Sequence, residues 1–197
     1  MLGVLVDDKL KWSEQIYAIS SKMSRINGIL YKLSKFLTSN ILKTIYNALM
    51  YPHLQYCNAV WGNTALYLSN ILLRSQKRAV RNISHEPFDA HTQLLFKNLK
   101  ILKISEINKL EVAKFVRKEL NKPASNFFAY RQNQHNMNLR NINNMNVNLP
   151  LCRTERAKRF VMYHGAKTWN ELPLILKQKR NPATFKINAK KYFLSLY

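Results

Sequence analysis

Acid is what this chain has least of. Ten Asp and Glu stand against 32 Lys and Arg, a formal net charge of +22 with an isoelectric point near 10.2. Between Glu14 and Glu86 there is no acidic residue at all, against nine basic ones. Without neutralising partners nearby, that half must present a positive field to solvent. Such a balance points to a polyanionic partner rather than an acidic small molecule. A basic surface with no specific partner is the plainer alternative. Glycine is also scarce, and four residues cannot supply a phosphate-cradling loop. Cys57 and Cys152 lie far apart and form no Cys-x2-Cys pair, which reads as reduced, intracellular thiols. No apolar run approaches the roughly 20 residues that span a bilayer. The first residues, MLGVLVDDKLKW, lack the basic start and long apolar stretch of a secretory signal. The expectation is a soluble, intracellular protein.

What is present is enough for a core. Hydrophobic residues make up 47% of the chain, which excludes wholesale disorder, and 197 residues allow one domain or two small ones. Leu2 to Val6 reads as a short strand ended by Asp7-Asp8. From Ser13, a candidate cap, Ile16, Ile19, Met23, Ile26, Leu30 and Leu33 recur at steps of three and four, the stripe of a helix. Lys22, Arg25, Lys32 and Lys35 fall off that stripe and are candidate nucleic-acid contacts. Thr38 or Ser39 caps a second helix with Ile41, Leu42, Ile45, Tyr46 and Leu49 inside, and Pro52 should kink or end it. Asn63 or Thr64 restarts a helix carrying Leu68, Ile71, Leu72, Val80 and Ile83. Asp89 caps a short helix through Phe96, and Leu99, Ile101, Leu102 and Ile104 make a buried corner.

The next helix runs from Ser105 to about Asn121. Its Glu106, Glu111 and Glu119, interleaved with lysines, read as a solvated face. From Arg131 to Asn148 there are eight asparagines in 18 residues and little periodicity, the mark of an extended, partly mobile connector or of a segment that folds only against nucleic acid. Asn181-Pro182 is a cap followed by proline at the first helical position. The last helix carries Phe185, Ile187, Tyr192, Phe193 and Leu196. Together these predict a mainly α protein in three parts: a helical domain over 1–121, an Asn-rich connector over 122–150, and a small basic C-terminal module over 151–197.

Asp7-Asp8 is the tempting catalytic pair, since polymerases hold metal ions with clustered carboxylates and reverse transcriptases use a Tyr-x-Asp-Asp turn. Here no aromatic lies two positions before the pair, a helix follows where a returning strand is needed, and Asp89 is the one other Asp. No catalytic site is expected. His53-x3-Cys57 has ligand-like spacing, but a second ligand pair is missing, so no metal site is expected either. The basic surface remains. Lys77, Arg78 and Arg81 lie about one helical turn apart and can project together. Arg153, Arg156, Lys158 and Arg159 form a second cluster. Cations spaced along a helix match backbone phosphates and bind without reading sequence. A solvated basic face is the competing reading. Tyr51, Tyr56 and Trp61 could stack on bases, though among so many leucines they read as core.

Four groups of residues, in order, carry a family resemblance. They are Leu2-Gly3-Val4 with Asp7, Leu10 and Trp12; then Tyr46, Ala48-Leu49, Pro52, Tyr56-Cys57 and Val60-Trp61-Gly62, followed by Gln76-Lys77-Arg78-Ala79-x-Arg81. The last two are Gly165-x3-Trp169-Asn170-x-Leu172-Pro173 and Phe185-Lys186. This resembles the region that follows the catalytic turn in reverse transcriptases of non-LTR (LINE, jockey-like) retrotransposons, over nearly the whole chain. Gln15 stands where the family commonly has His. The resemblance implies a thumb-like helical bundle that grips template–primer RNA or DNA, with the palm encoded upstream as a possible partner. It implies RNA-directed DNA polymerisation, with magnesium, for the whole element. The catalytic Tyr-x-Asp-Asp is absent from these residues, so the chain as it stands is expected to be no enzyme and to need no cofactor. Nuclear residence follows from the family's chromosomal target. Two alternatives stay open: a stand-alone nucleic-acid-binding module, and a structural helical protein that binds nothing.

Overall fold

A computed structural model describes residues 3–122, 127–130, 145–179 and 181–197. The chain is mainly helical and divides into two compact units. Unit 1 is Met1–Asn108 with Phe193–Tyr197, and unit 2 is Lys109–Tyr192.

In unit 1 the pattern of threes and fours on the first helix becomes packing. α1 (Ser13–Leu33) buries Ile16, Ile19, Met23, Ile26 and Leu30. It pairs chiefly with α5 (Leu66–Ser84), which buries Leu68, Leu72, Gln76, Ala79, Val80 and Ile83. Each large apolar side chain so buried stabilises the fold by roughly 1.5–3 kcal/mol. Asn27 also joins the two helices, donating to the Ser75 carbonyl at 3.0 Å. Between them run α2 (Ser39–Ile45), a widened π turn (Tyr46–Met50), α3 (Tyr51–Gln55) and α4 (Asn58–Trp61). Pro52 sits in the first turn of α3. Its missing N–H is accommodated because the Tyr51 N–H reaches back to the Tyr46 carbonyl, five residues earlier.

That extra residue also moves the inner face from Leu49 to Met50. Leu42, Tyr46, Met50 and Leu54 are buried, whereas Ile41 and Leu49, expected inside, are 47% and 42% exposed. Among the aromatics expected in the core, Trp61 is fully buried with its indole N–H on the Tyr56 carbonyl, while Tyr56 itself is exposed.

Several expected starts move. Gly3 to Asp7 form no strand; the Leu5 N–H is taken by the side-chain oxygen of Gln15, so no neighbouring strand is needed. Leu2 lies outside the described residues. Trp12, in a left-handed conformation, and Ser13 stand at the start of α1 with no side-chain cap. The carboxylate of Asp7 instead accepts the N–H groups of Lys11 and Trp12, at 2.7 and 2.9 Å. α5 begins after Ala65 rather than at Asn63 or Thr64. α6 (Gln93–Asn98) begins after Thr92, not at Asp89.

α7 (Ile104–Leu120) crosses the division between the units. Its acids are not a uniformly solvated face: Glu119 is buried beside Lys122 at 2.6 Å, and Arg117 is buried as well. In unit 2, α8 (Val161–Asn170), α9 (Leu174–Lys177) and α10 (Pro182–Ser195) surround Trp169 and Phe185, whose rings are 6.1 Å apart. Gly165 lets α8 come close, since a Cβ there would lie 2.9 Å from Phe128. Arg117 donates to the carbonyls of Asn181 and Lys179. Asn181 caps α10 as expected, accepting the Ala183 N–H at 2.8 Å. On α10 the inward residues are Phe185, Ala189 and Phe193, while Ile187 and Leu196 are exposed.

Most of the expected connector lies outside the described residues. Its end does not: Val147 is buried, forms an isolated antiparallel bridge with Tyr130, and has both backbone polar groups held by the Asn170 amide.

Candidate nucleic-acid interface

The run Gln76-Lys77-Arg78-Ala79-Val80-Arg81 faces two ways at once. Gln76 is fully buried, donating through Nε2 to the Tyr46 hydroxyl and the Leu102 carbonyl and accepting the Ile104 N–H. Burial also pushes the Tyr46 phenol well above its usual pKa, against the opposing hydrogen bond from Gln76. One side chain thus orients α5 against both the π turn and the start of α7. With Gln76, Ala79 and Val80 inward, Lys77, Arg78 and Arg81 must face out, and Arg74 joins them one turn earlier. At 3.6 residues per turn these four span about 100° of the helix circumference, so they form one stripe.

The loop after α5 completes the surface. His85 takes a left-handed conformation (φ 57°) and its N–H returns to the Arg81 carbonyl, which ends the helix. Arg81 then donates from Nε to the Ala90 carbonyl at 2.9 Å, fixing the loop. Between these points Phe88 stands 75% exposed, with the guanidinium groups of Arg78 and Arg81 at 6.0 and 5.7 Å from its ring centre. Phe88 borders two open grooves. One, of about 670 Å³, carries Arg74, Lys77, Arg78 and Arg81 with Asp89; the other, of about 520 Å³, is shared with Tyr31, Ser24 and Asn82.

The remaining predicted residues are placed less tightly. Lys22, Arg25, Lys32 and Lys35 are all exposed on α1 or just after it, and they spread over about 140° of its circumference, Lys35 lying just past the helix end. Burial, and then the charge of Lys22, lowers the pKa of His53. Lys35 lies 5.6 Å over the Tyr31 ring. In unit 2, Arg153, Arg156 and Arg159 are exposed around a 3-10 turn (Ala157–Arg159), while Lys158 is half-buried and bound to Glu155. The Glu155 carboxylate is accordingly held below its usual pKa by Lys158.

No protein-family model, curated protein or solved structure matches this chain. The site therefore stands on its own geometry.

Among the described residues, no three His, Cys, Asp or Glu side chains come together as a metal ion would need. No helix among them is long and apolar enough to cross a membrane. Sequence reasoning missed Arg74, Tyr31 and Phe88. Arg74 was visible as the residue four before Arg78. Phe88 was not, because its place depends on a loop that Arg81 pins.

Proposed function

We propose that this chain grips nucleic acid through the outer face of α5, as a non-catalytic part of a reverse transcriptase of the non-LTR retrotransposon kind. The observation that carries the reading is the stripe of Arg74, Lys77, Arg78 and Arg81 opening on one groove. Guanidinium and ammonium groups at such spacing neutralise successive phosphates and release condensed counterions, which favours binding without sequence choice. The family assignment rests on the ordered motifs alone. The same Gln-Lys-Arg-Ala-x-Arg run supports both halves, since Gln76 and Ala79 build the helix pairing while the cations face out. On this reading, bond-making falls to a palm encoded upstream, with its own magnesium, and these residues hold template and primer in the nucleus.

Fluorescence anisotropy with labelled duplex, hybrid and single strands, titrated with salt, tests the binding. Non-specific dissociation constants of about 1–100 μM near physiological salt are expected, with a steep salt slope. Reversing Arg74, Lys77 and Arg78 to Glu should weaken binding and flatten that slope. Arg81 is left intact because it also holds the loop. Absence of binding at low salt would favour a purely structural protein. Translating the DNA upstream of Met1 tests the family: a Tyr-x-Asp-Asp in frame, after palm-like strands, is the expected result. A promoter and untranslated leader there would favour a stand-alone binding module.

A further inference from the structure

The two grooves beside Phe88 share Arg78 and Arg81 but differ in what lies around them. The larger is net cationic, with four basic side chains against Asp89 and two serines, Ser20 and Ser75. The smaller is bordered by two exposed aromatic rings, Phe88 from the loop and Tyr31 from α1, and carries Ser24, Asn27 and Asn82 with only Arg78 and Arg81 set against Glu86. Phe88 is common to both. Its loop is tied down by Arg81 at Ala90, so the exposed ring is presented on a fixed support.

We propose that this surface takes an unpaired nucleotide: the strand's phosphates follow the cations of α5, and one base leaves that path to stack on Phe88 in the groove shared with Tyr31. This rests on the reading of α5 as a nucleic-acid surface. It goes further in naming the substrate as single-stranded or locally unpaired, because a base inside a duplex has no free face to stack. Arg78 and Arg81 serve both halves, as phosphate partners and as cations beside the ring. Ser24 and the side-chain oxygen of Asn82 offer hydrogen bonds to a base edge, the Asn82 amide nitrogen being turned to the Asn27 carbonyl. Every base has a π face, so the preference expected is for strand state rather than sequence.

The test uses the full chain with 2-aminopurine-labelled oligonucleotides, DNA and RNA, each single-stranded and as duplex. Wild-type protein should quench the single-strand signal. Phe88→Ala should lose about 5- to 100-fold in single-strand affinity, the cost of one base–aromatic stack, along with the quench. Its salt slope and its duplex affinity should stay unchanged, and Phe88→Tyr should restore the single-strand behaviour. Because Phe88 is largely exposed, these variants leave the core intact. Equal weakening on single strand and duplex, or no effect on either, overturns the inference and leaves the α5 reading standing. If the wild-type chain binds no oligonucleotide at low salt, the α5 reading falls and this one with it. The RNA and DNA arms show which sugar the groove accepts.

Discussion

Gln76 illustrates how one buried polar side chain can join parts of a core. It satisfies a hydroxyl from the π turn and a carbonyl and an N–H from the chain entering α7, all inside the core. Replacing it by Leu would leave the Leu102 carbonyl and the Ile104 N–H without it in the protein interior. A buried group left unmade costs about 1–3 kcal/mol, so Gln76→Leu should lower unfolding free energy by roughly 2–4 kcal/mol in urea titrations. Tyr46→Phe, which removes one partner only, should cost about 1 kcal/mol. Equal effects from the two variants would deny Gln76 its joining role. In unit 2, His164 offers a pH test. Burial, then the charges of Lys109 on α7 and Lys167 on α8, lowers its pKa from 6.5 to about 4. The folded state therefore keeps it neutral, while the unfolded chain takes up the proton first. Its contribution is complete above pH 6.5 and is lost as pH falls toward about 4. The loss is on the order of 2–3 kcal/mol. Carboxylates titrate in the same window, so the measurement is the difference in pH dependence between wild type and His164→Gln. A variant with the wild-type slope would remove His164 from the account.

The elements show where a sequence can and cannot be read. Gly62 ends α4 with an ordinary φ of −70°, so no special backbone conformation asks for glycine. Space does: a Cβ there would lie 2.2 Å from the Asn58 side-chain oxygen and 2.5 Å from the Asn108 amide nitrogen. Those two asparagines are buried and bonded to one another, and Asn58 also donates to the Leu54 carbonyl. Gly62→Ala should therefore destabilise by about 1–3 kcal/mol in chemical unfolding, whereas a propensity argument alone predicts no loss. A stability equal to wild type would show that the amide pair yields easily. The stripes of α1 and α5 were legible because burial there follows one helical period without interruption. The inner face beyond Tyr46 was not, because the π turn inserts a residue and hands the interior from Leu49 to Met50. Burial of Arg117 was also hidden, since its carbonyl partners at Lys179 and Asn181 lie 62 and 64 residues away in sequence. The cations of the α5 site were largely readable from the Gln-Lys-Arg-Ala-x-Arg run. Its aromatic part was not, because a loop Phe acquires meaning only once Arg81 holds the loop.

For the whole molecule the governing quantity is charge, +22 over 197 residues, and it is not confined to one unit. The α5 stripe belongs to unit 1, while Arg153, Arg156 and Arg159 are exposed in unit 2. If only the α5 face met nucleic acid, the second cluster would be solvated surface, and removing it would alter neither affinity nor salt dependence beyond a small long-range effect. If both take part, each phosphate deprived of its cation should lower the salt slope by about 0.9 on duplex or about 0.7 on single strand. Arg153→Gln, Arg156→Gln and Arg159→Gln together should then reduce the slope by about 2 to 3, and their effect should add to that of the α5 variants because the clusters share no side chain. Lys158 is left in place, since it is bound to Glu155 and its removal would unpair that carboxylate. Sequence preference should not change in any of these variants, because phosphates carry no sequence information. A triple variant with the wild-type slope would restrict the interface to unit 1 and return the Arg153–Arg159 cluster to the role of a solvated basic face.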